Sequence, residues 1–149
     1  MFSGSLFCHL YLRKGTVFVP TSGNVHPGLH RDIEPVAVVP ASNPDAIRHA
    51  LKATIARGNP PTAHYPRGSH PQPVVLKYAD VKTWSAFARG TSSWSVKENN
   101  GSFQIAGYRT HRDGHWEEDS EQRITFPPRS PLDEVIDRMI AILHDAVRM

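Results

Sequence analysis

The sequence predicts an α+β fold, in which an antiparallel β-sheet (a meander of hairpins) is packed on one face by two main helices. Two turn signals support this prediction, because Asn100-Gly101 and Asp113-Gly114 each lie between strand-like runs. A third observation is the apolar stripe of helical period at 132–147, directly after the meander. The 149 residues are expected to form a single domain, 1–149.

The beginning of the chain is rich in β-forming residues. Residues 5–12 and 16–20 are apolar runs that predict a tight hairpin, and 33–39 predicts a third strand. Pro35 lacks a backbone donor, which favours an edge position or a late start for that third strand. Residues 21–30 are predicted to form a loop, because Gly, Asn and Pro interrupt them densely.

Two helices and a short strand are predicted before the meander. Asn43 is a suitable N-cap and Pro44 suits the first helical position, whereas Gly58 suits the end of that helix. Residues 74–78 (VVLKY) predict a short apolar strand, and 80–88 predict one or two helical turns.

The meander at 92–127 has a register that follows from its two turns, if each contains two residues. The first turn places Val96 opposite Ile105, and the second places Arg109 opposite Glu118 and Gln104 opposite Arg123. The predicted apolar face holds Trp94, Val96, Phe103, Ile105, Trp116, Ile124 and Phe126. We expect the helix at 132–147 to cover this face, with the polar face left open.

Charge, cysteine content and the length of the apolar runs limit the classes of protein to which the chain can belong. Residues 1–112 contain 13 Lys/Arg and 5 Asp/Glu, a balance of +8, whereas 113–149 contain 4 and 9, a balance of −5. The one cysteine, Cys8, excludes an internal disulfide and is typical of a buried residue in the reducing cytoplasm. No apolar run approaches the roughly 18 residues that a membrane span needs, so no membrane partner and no signal peptide are expected.

The sequence contains no recognisable catalytic or metal-binding signature. His26 and His30 lie four residues apart in a Gly/Pro segment, and His111 and His115 flank a turn, but neither pair has a third ligand in a known pattern. There is no G-x-S-x-G motif, no convincing Cys/His pair and no phosphate-binding glycine loop. We therefore expect no enzyme activity, no catalytic residue, no metal and no cofactor.

An acidic segment is the sharpest remaining feature, with five carboxylates within nine residues: Asp113, Glu117, Glu118, Asp119 and Glu121. The predicted register sets three of them, Glu117, Asp119 and Glu121, in a column on the open face, beside Tyr108. One interpretation is a solvated edge strand that is protected by charge against aggregation. The other is a surface that meets a basic protein, and its candidate contacts are Tyr108, Asp113, His115, Trp116, Glu117, Asp119 and Glu121.

Several runs of the chain resemble small bacterial immunity proteins of the CdiI type, which accompany contact-dependent growth inhibition toxins. They are IEPVAVV (33–39), IARGNPP (55–61), PVVLKYADVKTWSAF (73–87), FQIAGYRTHRDGHWEED (103–119) and DEVIDRMIAIL (133–143). The resemblance covers most of the chain from about residue 16 onward. The resemblance rests on the general pattern of these runs and not on a catalytic motif.

The resemblance implies a cytoplasmic protein that binds the C-terminal toxin domain of its cognate CdiA and occludes its active site without catalysis. Many such toxins are nucleases with basic clefts, which an acidic surface would suit. The net charge of +3 departs from the acidic protein expected for such a target. The alternative is a small nucleic-acid-binding module that uses the basic residues of positions 1–112, although these residues are scattered. A third interpretation is a small enzyme that uses the His-rich loops.

Overall fold

A computed structural model describes residues 6–27, 29–64, 72–110 and 116–148 of the chain. Its elements, in order, are β1 (Leu6–Arg13), β2 (Thr16–His26), β3 (Leu29–Pro40), α1 (Pro44–Arg57), α2 (Val75–Ala79), α3 (Trp84–Ala88), β4 (Thr91–Asn99), β5 (Ser102–Thr110), β6 (Trp116–Thr125) and α4 (Leu132–Val147). The predicted α+β class with an antiparallel sheet is confirmed. None of the helices in these ranges has the length and apolarity that a bilayer crossing requires.

The six strands form one sheet in the order β3-β2-β1-β4-β5-β6. The N-terminal hairpin joins the meander through β1, which pairs with β4 from Leu6 opposite Glu98 to Arg13 opposite Thr91. The strand that contains Pro35 lies at one edge of the sheet, as predicted, and β6 lies at the other.

One face of the sheet carries the main hydrophobic core beneath α1 and α4. Asn43 caps α1 as predicted, since its side chain accepts a hydrogen bond of 3.1 Å from the backbone N–H of Ala46. Gly58 ends the helix with a φ of +76°, a conformation that glycine adopts without strain.

The predicted placement of the last helix is confirmed. Its fully buried residues Val135, Ile136, Met139 and Leu143 share a core cluster with Trp94, Val96, Phe103 and Ile105 of the meander. Burying a large apolar side chain contributes about 1.5–3 kcal/mol, so these contacts hold the helix on the sheet.

The first meander turn has the predicted register, with Val96 opposite Ile105. Asn100 and Gly101 have φ angles of +54° and +84°, which are the left-handed conformations of a tight two-residue hairpin turn.

The register predicted for the second meander turn is wrong. Arg109 lies opposite Glu117 instead of Glu118, and Gln104 lies opposite Thr125 instead of Arg123. On the turn side of the hairpin the register differs from the prediction by one residue, as the pair Arg109–Glu117 shows. A bulge then shifts the register by three residues in the opposite direction: between the pairs Gly107–Asp119 and Ile105–Ile124, β5 has one residue and β6 has the four residues 120–123. The Asp113-Gly114 turn itself lies outside the described residues.

The one-residue difference on the turn side changes the faces assigned to the first residues of β6. Glu118 lies opposite Tyr108 and pairs with Lys97, so it points to the open face. Side-chain alternation then places Glu117 and Asp119 on the helix-covered side of the sheet. The predicted acidic column therefore does not form. Trp116, predicted on the apolar face, instead contacts Tyr11 on the open face.

Two element predictions in the first half of the chain are also wrong. Residues 74–78, predicted as a strand, belong largely to the helix α2. Val75 and Leu76 are both buried in the second core cluster. A helical turn can bury two consecutive side chains on one side, whereas a strand points them to opposite faces. Most of 21–30 is strand: β2 continues to His26 and β3 begins at Leu29. Gly23 in β2 lets the segment that follows α1 approach closely, since a Cβ at this position would collide with the Thr62 side chain.

Candidate functional site

The open face, on the side of the sheet opposite α1 and α4, is shaped by a separation of β1 from β2. These two strands pair only over the three residue pairs next to their turn, which end at Tyr11 opposite Phe18. Farther from the turn, the segment that follows α1 occupies the gap. The backbone of Asn24 in β2 donates to the carbonyl of Pro60 at 2.8 Å and accepts from Thr62 at 2.9 Å.

Asn59 connects the separated strands through its side chain. Its Oδ1 accepts a hydrogen bond from the backbone N–H of Phe7 at 3.0 Å. Its Nδ2 donates to the carbonyls of Phe7 at 2.6 Å and of Ser22 at 2.8 Å. One carboxamide thus replaces part of the missing β1–β2 ladder.

The separation lets the β2–β3 hairpin fold over the open face. Tyr11 of β1 donates its hydroxyl hydrogen to Asp32 Oδ2 of β3 at 2.5 Å. The ring of His30 stacks on Phe7 with centroids 4.6 Å apart and an interplanar angle of 22°. In the sheet order β2 lies between β1 and β3, so β1 and β3 are not neighbours. The contacts between their side chains therefore require the β2–β3 hairpin to bend over the open face.

The opposite wall is aromatic and comes from α3 and β6. Trp84 and Trp116 have ring centroids 6.2 Å apart, and Trp116 meets Tyr11 edge-on at 5.8 Å. Phe87 packs edge-on against Tyr11 at 5.1 Å, so the α3 wall is anchored in the second core cluster.

Between these walls lies what we call the open-face trough, whose lining includes Phe7, His9, Tyr11, His30, Arg31, Asp32, Trp84, Lys97, Glu98, Tyr108 and Trp116. It consists of two cavities of about 460 and 710 Å³, and His9, His30 and Asp32 line both of them. Cavities of this size accept small molecules or single side chains of a partner protein.

A polar network crosses the floor of the trough, with His9 at its centre. His9 Nε2 is 2.5 Å from Ser93 Oγ, and His9 Nδ1 is 3.2 Å from the Tyr11 hydroxyl. His9 Nδ1 is also 3.7 Å from Asp32 Oδ1. The order of serine, histidine and aspartate resembles that of a hydrolase triad.

The surroundings of Ser93 do not suit nucleophilic catalysis. Ser93 is only 1% exposed, so its hydroxyl has no access to a substrate carbonyl. It lies in the middle of β4, between Tyr11 of β1 and Tyr108 of β5, where the ladders use the backbone N–H groups. A tetrahedral intermediate needs such donors free to bind its oxyanion. The network is therefore suited to orienting Asp32.

Burial sets the charge states around this network. Burial, and then the negative charge of Asp32, raise the pKa of Tyr11 well above its usual value, which keeps it a neutral donor. Burial, and then the charge of Lys97, lower the pKa of His30, which favours its neutral ring. Burial raises the pKa of the Cys8 thiol to about 12, so Cys8 is an inert core residue as expected.

Lys97 and Glu118 form an ion pair at the rim of the trough. Lys97 Nζ lies 2.8 Å from Glu118 Oε1, and Arg123 donates to the other carboxylate oxygen. The hydrogen bond from Lys97, followed by those from Arg123, lowers the pKa of Glu118.

The structure places Tyr108 and Trp116 in the trough, whereas the predicted acidic contacts lie elsewhere on β6. Glu117 lies 3.6 Å from Arg109, and Asp119 accepts hydrogen bonds from the backbone of Glu121 and the side chain of Gln122. Asp113 and His115, also predicted as contacts, lie outside the described residues.

Sequence reasoning missed His9, Asp32 and Ser93. The alternation in β1 contained a usable signal, because Cys8, Leu10 and Leu12 form its apolar side and leave Phe7, His9 and Tyr11 on the other. No local pattern places Asp32 next to them, since that contact depends on the folded-over hairpin. Within the described ranges, no group of three or more His, Cys, Asp or Glu side chains is arranged to hold a metal ion.

Comparisons with known proteins show the fold. No protein-family model matches the chain, and no curated protein matches it. A Neisseria meningitidis protein of unknown function superposes with a TM-score of 0.64 at 12% identity, over 92% of this chain and 93% of that one. A chain of the CdiA-CT/CdiI toxin and immunity complex from Yersinia pseudotuberculosis superposes with a TM-score of 0.63 at 11% identity, over 93% of this chain and 97% of that one. The chain thus has a fold that is found in a toxin and immunity complex.

Proposed function

We propose that this chain is an immunity protein that binds and neutralises the C-terminal toxin domain of a cognate CdiA protein. The observation that carries the proposal is the fold, which matches a chain of a CdiA-CT/CdiI complex over 93% of the present chain. Residues 33–39, 73–87 and 103–119 also resemble CdiI proteins in sequence. The two likenesses are of different kinds, and both favour a toxin as the partner.

The mechanism we propose is occlusion by binding. The open-face trough is a preformed concave surface with aromatic walls, and aromatic side chains are enriched at the centres of protein interfaces. Tyr108 and Trp116 are the predicted contacts that lie in it. Because the nucleophile of the Ser93–His9 pair on its floor is buried, the trough is suited to binding without catalysis.

Edge strand β6 offers a second contact region beside the trough, with Glu117 and Asp119 on the other side of the sheet. We propose that these two carboxylates and Glu121 meet basic groups of the toxin, together with Asp113 and His115, which are adjacent in sequence. A nuclease has a basic cleft for its substrate, so a nuclease is the toxin class we propose. Complementary charge would speed the association of the two proteins. Neutralisation of such a toxin would take place in the cytoplasm.

Co-expression provides the test. The gene that directly precedes this chain should encode a large protein whose C-terminal module is the toxin. That module, carrying an affinity tag, is expected to co-purify with the untagged chain in equal amounts. A module that purifies alone, with the chain present and folded in the lysate, would contradict the proposal. Salt-sensitive RNA binding by the isolated chain would instead favour a nucleic-acid-binding module.

A further inference from the structure

We infer that the open-face trough binds an arginine side chain of a protein partner, with the Asp32 carboxylate as its counter-ion. The identification of that partner as the toxin rests on the proposed function, whereas the arginine site rests on the geometry of the trough alone. Asp32 lines both cavities, and its side chain is 16% exposed, so it is accessible and largely desolvated.

The Asp32 carboxylate retains capacity to accept hydrogen bonds. Each carboxylate oxygen has two acceptor positions. Oδ2 accepts one hydrogen bond from Tyr11, and the distance of 3.7 Å from Oδ1 to His9 Nδ1 exceeds that of a hydrogen bond. Tyr11 is neutral, so it orients the carboxylate without balancing its charge.

The cationic side chains that line the trough have other partners. Lys97 is paired with Glu118 at 2.8 Å, and Arg31 donates from Nη1 to the carbonyl of Ala63 at 2.8 Å. A largely desolvated carboxylate is stabilised when a cation from outside pairs with it. The position next to Asp32 therefore suits a cation from a partner protein.

The walls favour arginine as that cation. A guanidinium is planar, stacks on aromatic faces and donates to carboxylates in a forked geometry, which the compact lysine ammonium does not do. Phe7 and His30 form one stacked wall, and Trp84 and Trp116 form the other. The lowered pKa of His30 favours its neutral form, so this ring does not repel a cation.

The test uses Nα-acetyl-arginine N-methylamide as a probe, with the citrulline analogue as its neutral counterpart of the same shape. Titration into the ¹⁵N-labelled chain is followed through the indole N–H signals of Trp84 and Trp116. We expect saturable shifts with the arginine probe, and at least tenfold weaker binding to Asp32→Asn, since the charge-assisted hydrogen bonds to the guanidinium are lost. The asparagine keeps an acceptor for Tyr11, so the fold is expected to persist. Asp45→Asn, at an exposed carboxylate of α1 outside the trough, is the matched control and should bind as the parent chain does.

Equal shifts with the citrulline probe, or an equal loss of binding in Asp45→Asn, would overturn the inference. The absence of any saturable response would overturn it as well. Failure here and failure of the proposed function are distinguishable. A chain that binds its toxin without responding to the arginine probe loses only the arginine site. A chain that responds to the probe but does not associate with the toxin loses only the immunity function.

Discussion

Replacement of Asn59 by alanine should remove the connection between the separated strands β1 and β2. The Asn59 side chain makes three hydrogen bonds, of 3.0, 2.6 and 2.8 Å, to backbone groups of Phe7 and Ser22. Each such bond contributes about 0.5–1.5 kcal/mol net, so we expect Asn59→Ala to lower the free energy of unfolding by about 2–4 kcal/mol. The backbone groups left behind are partly buried, and solvent replaces the lost bonds only in part.

The measurement is urea unfolding at 25 °C, with Asn43→Ala as the matched control. Asn43 is exposed and makes one capping hydrogen bond with its side chain, so its replacement should cost about 1 kcal/mol. Hydrogen exchange adds a local readout, since the Phe7 amide should lose protection in Asn59→Ala while the amides of α4 keep theirs. A loss no larger than that of Asn43→Ala, with the Phe7 amide still protected, would refute the role assigned to Asn59.

Three further predictions concern the bulge, the rim and the core. Gly107→Ala should lower the free energy of unfolding by about 1–3 kcal/mol, because the new Cβ would lie 2.8 Å from the Cβ of Gln122. Thermal unfolding measures this change, and an unchanged midpoint temperature would count against the bulge. Leu143→Ala should lower the free energy of unfolding, measured in urea, by about 2–5 kcal/mol, since the Leu143 side chain is fully buried between α4 and the sheet. The control Ala141→Gly, on the exposed side of α4, should lower it by about 1 kcal/mol. The pKa of Glu118 is lowered by folding, so its contribution to stability is present above the ordinary carboxyl pKa and is lost as the pH falls through the lower folded value. Glu118→Gln should therefore be less stable than the parent at pH 7 and should lose less stability on acidification to pH 3; parallel pH profiles of the two proteins would contradict this.

Local chemistry made about half of the fold predictable. The Asn100-Gly101 turn determined its register because both residues adopt positive φ, and Asn43, Pro44 and Gly58 marked the ends of α1. The apolar stripe of α4 matched the apolar face of the meander. For the turn and for the ends of α1, the determining contacts lie within a few residues of one another in the chain.

The second hairpin was predicted wrongly because its turn motif reveals neither the one-residue offset on the turn side nor the bulge that follows. The offset reverses the face on which Glu117, Glu118 and Asp119 lie. The bulge at 120–123 then returns Ile124 to its predicted face, against the core. The acidic column was lost because an argument from alternation fails wherever the register is off by one residue.

The candidate site was the least predictable feature because its residues are distant in sequence. Asp32 reaches Tyr11 only because β1 and β2 separate and the β2–β3 hairpin folds over. Asn59 connects the separated strands, and it lies far from both of them in sequence. Tyr108 and Trp116 were predicted as contacts and do lie in the trough, although Trp116 was assigned to the other face.

Growth of cells that express the toxin module tests the central claim most directly. The module is induced in cells that carry the chain, an empty vector, or the chain with Trp116→Ala and Tyr108→Ala together. If the chain is the immunity protein, it restores growth to the uninduced rate, the empty vector does not, and the double variant protects less although it remains folded. Growth arrest in the presence of the folded parent chain would contradict the immunity function.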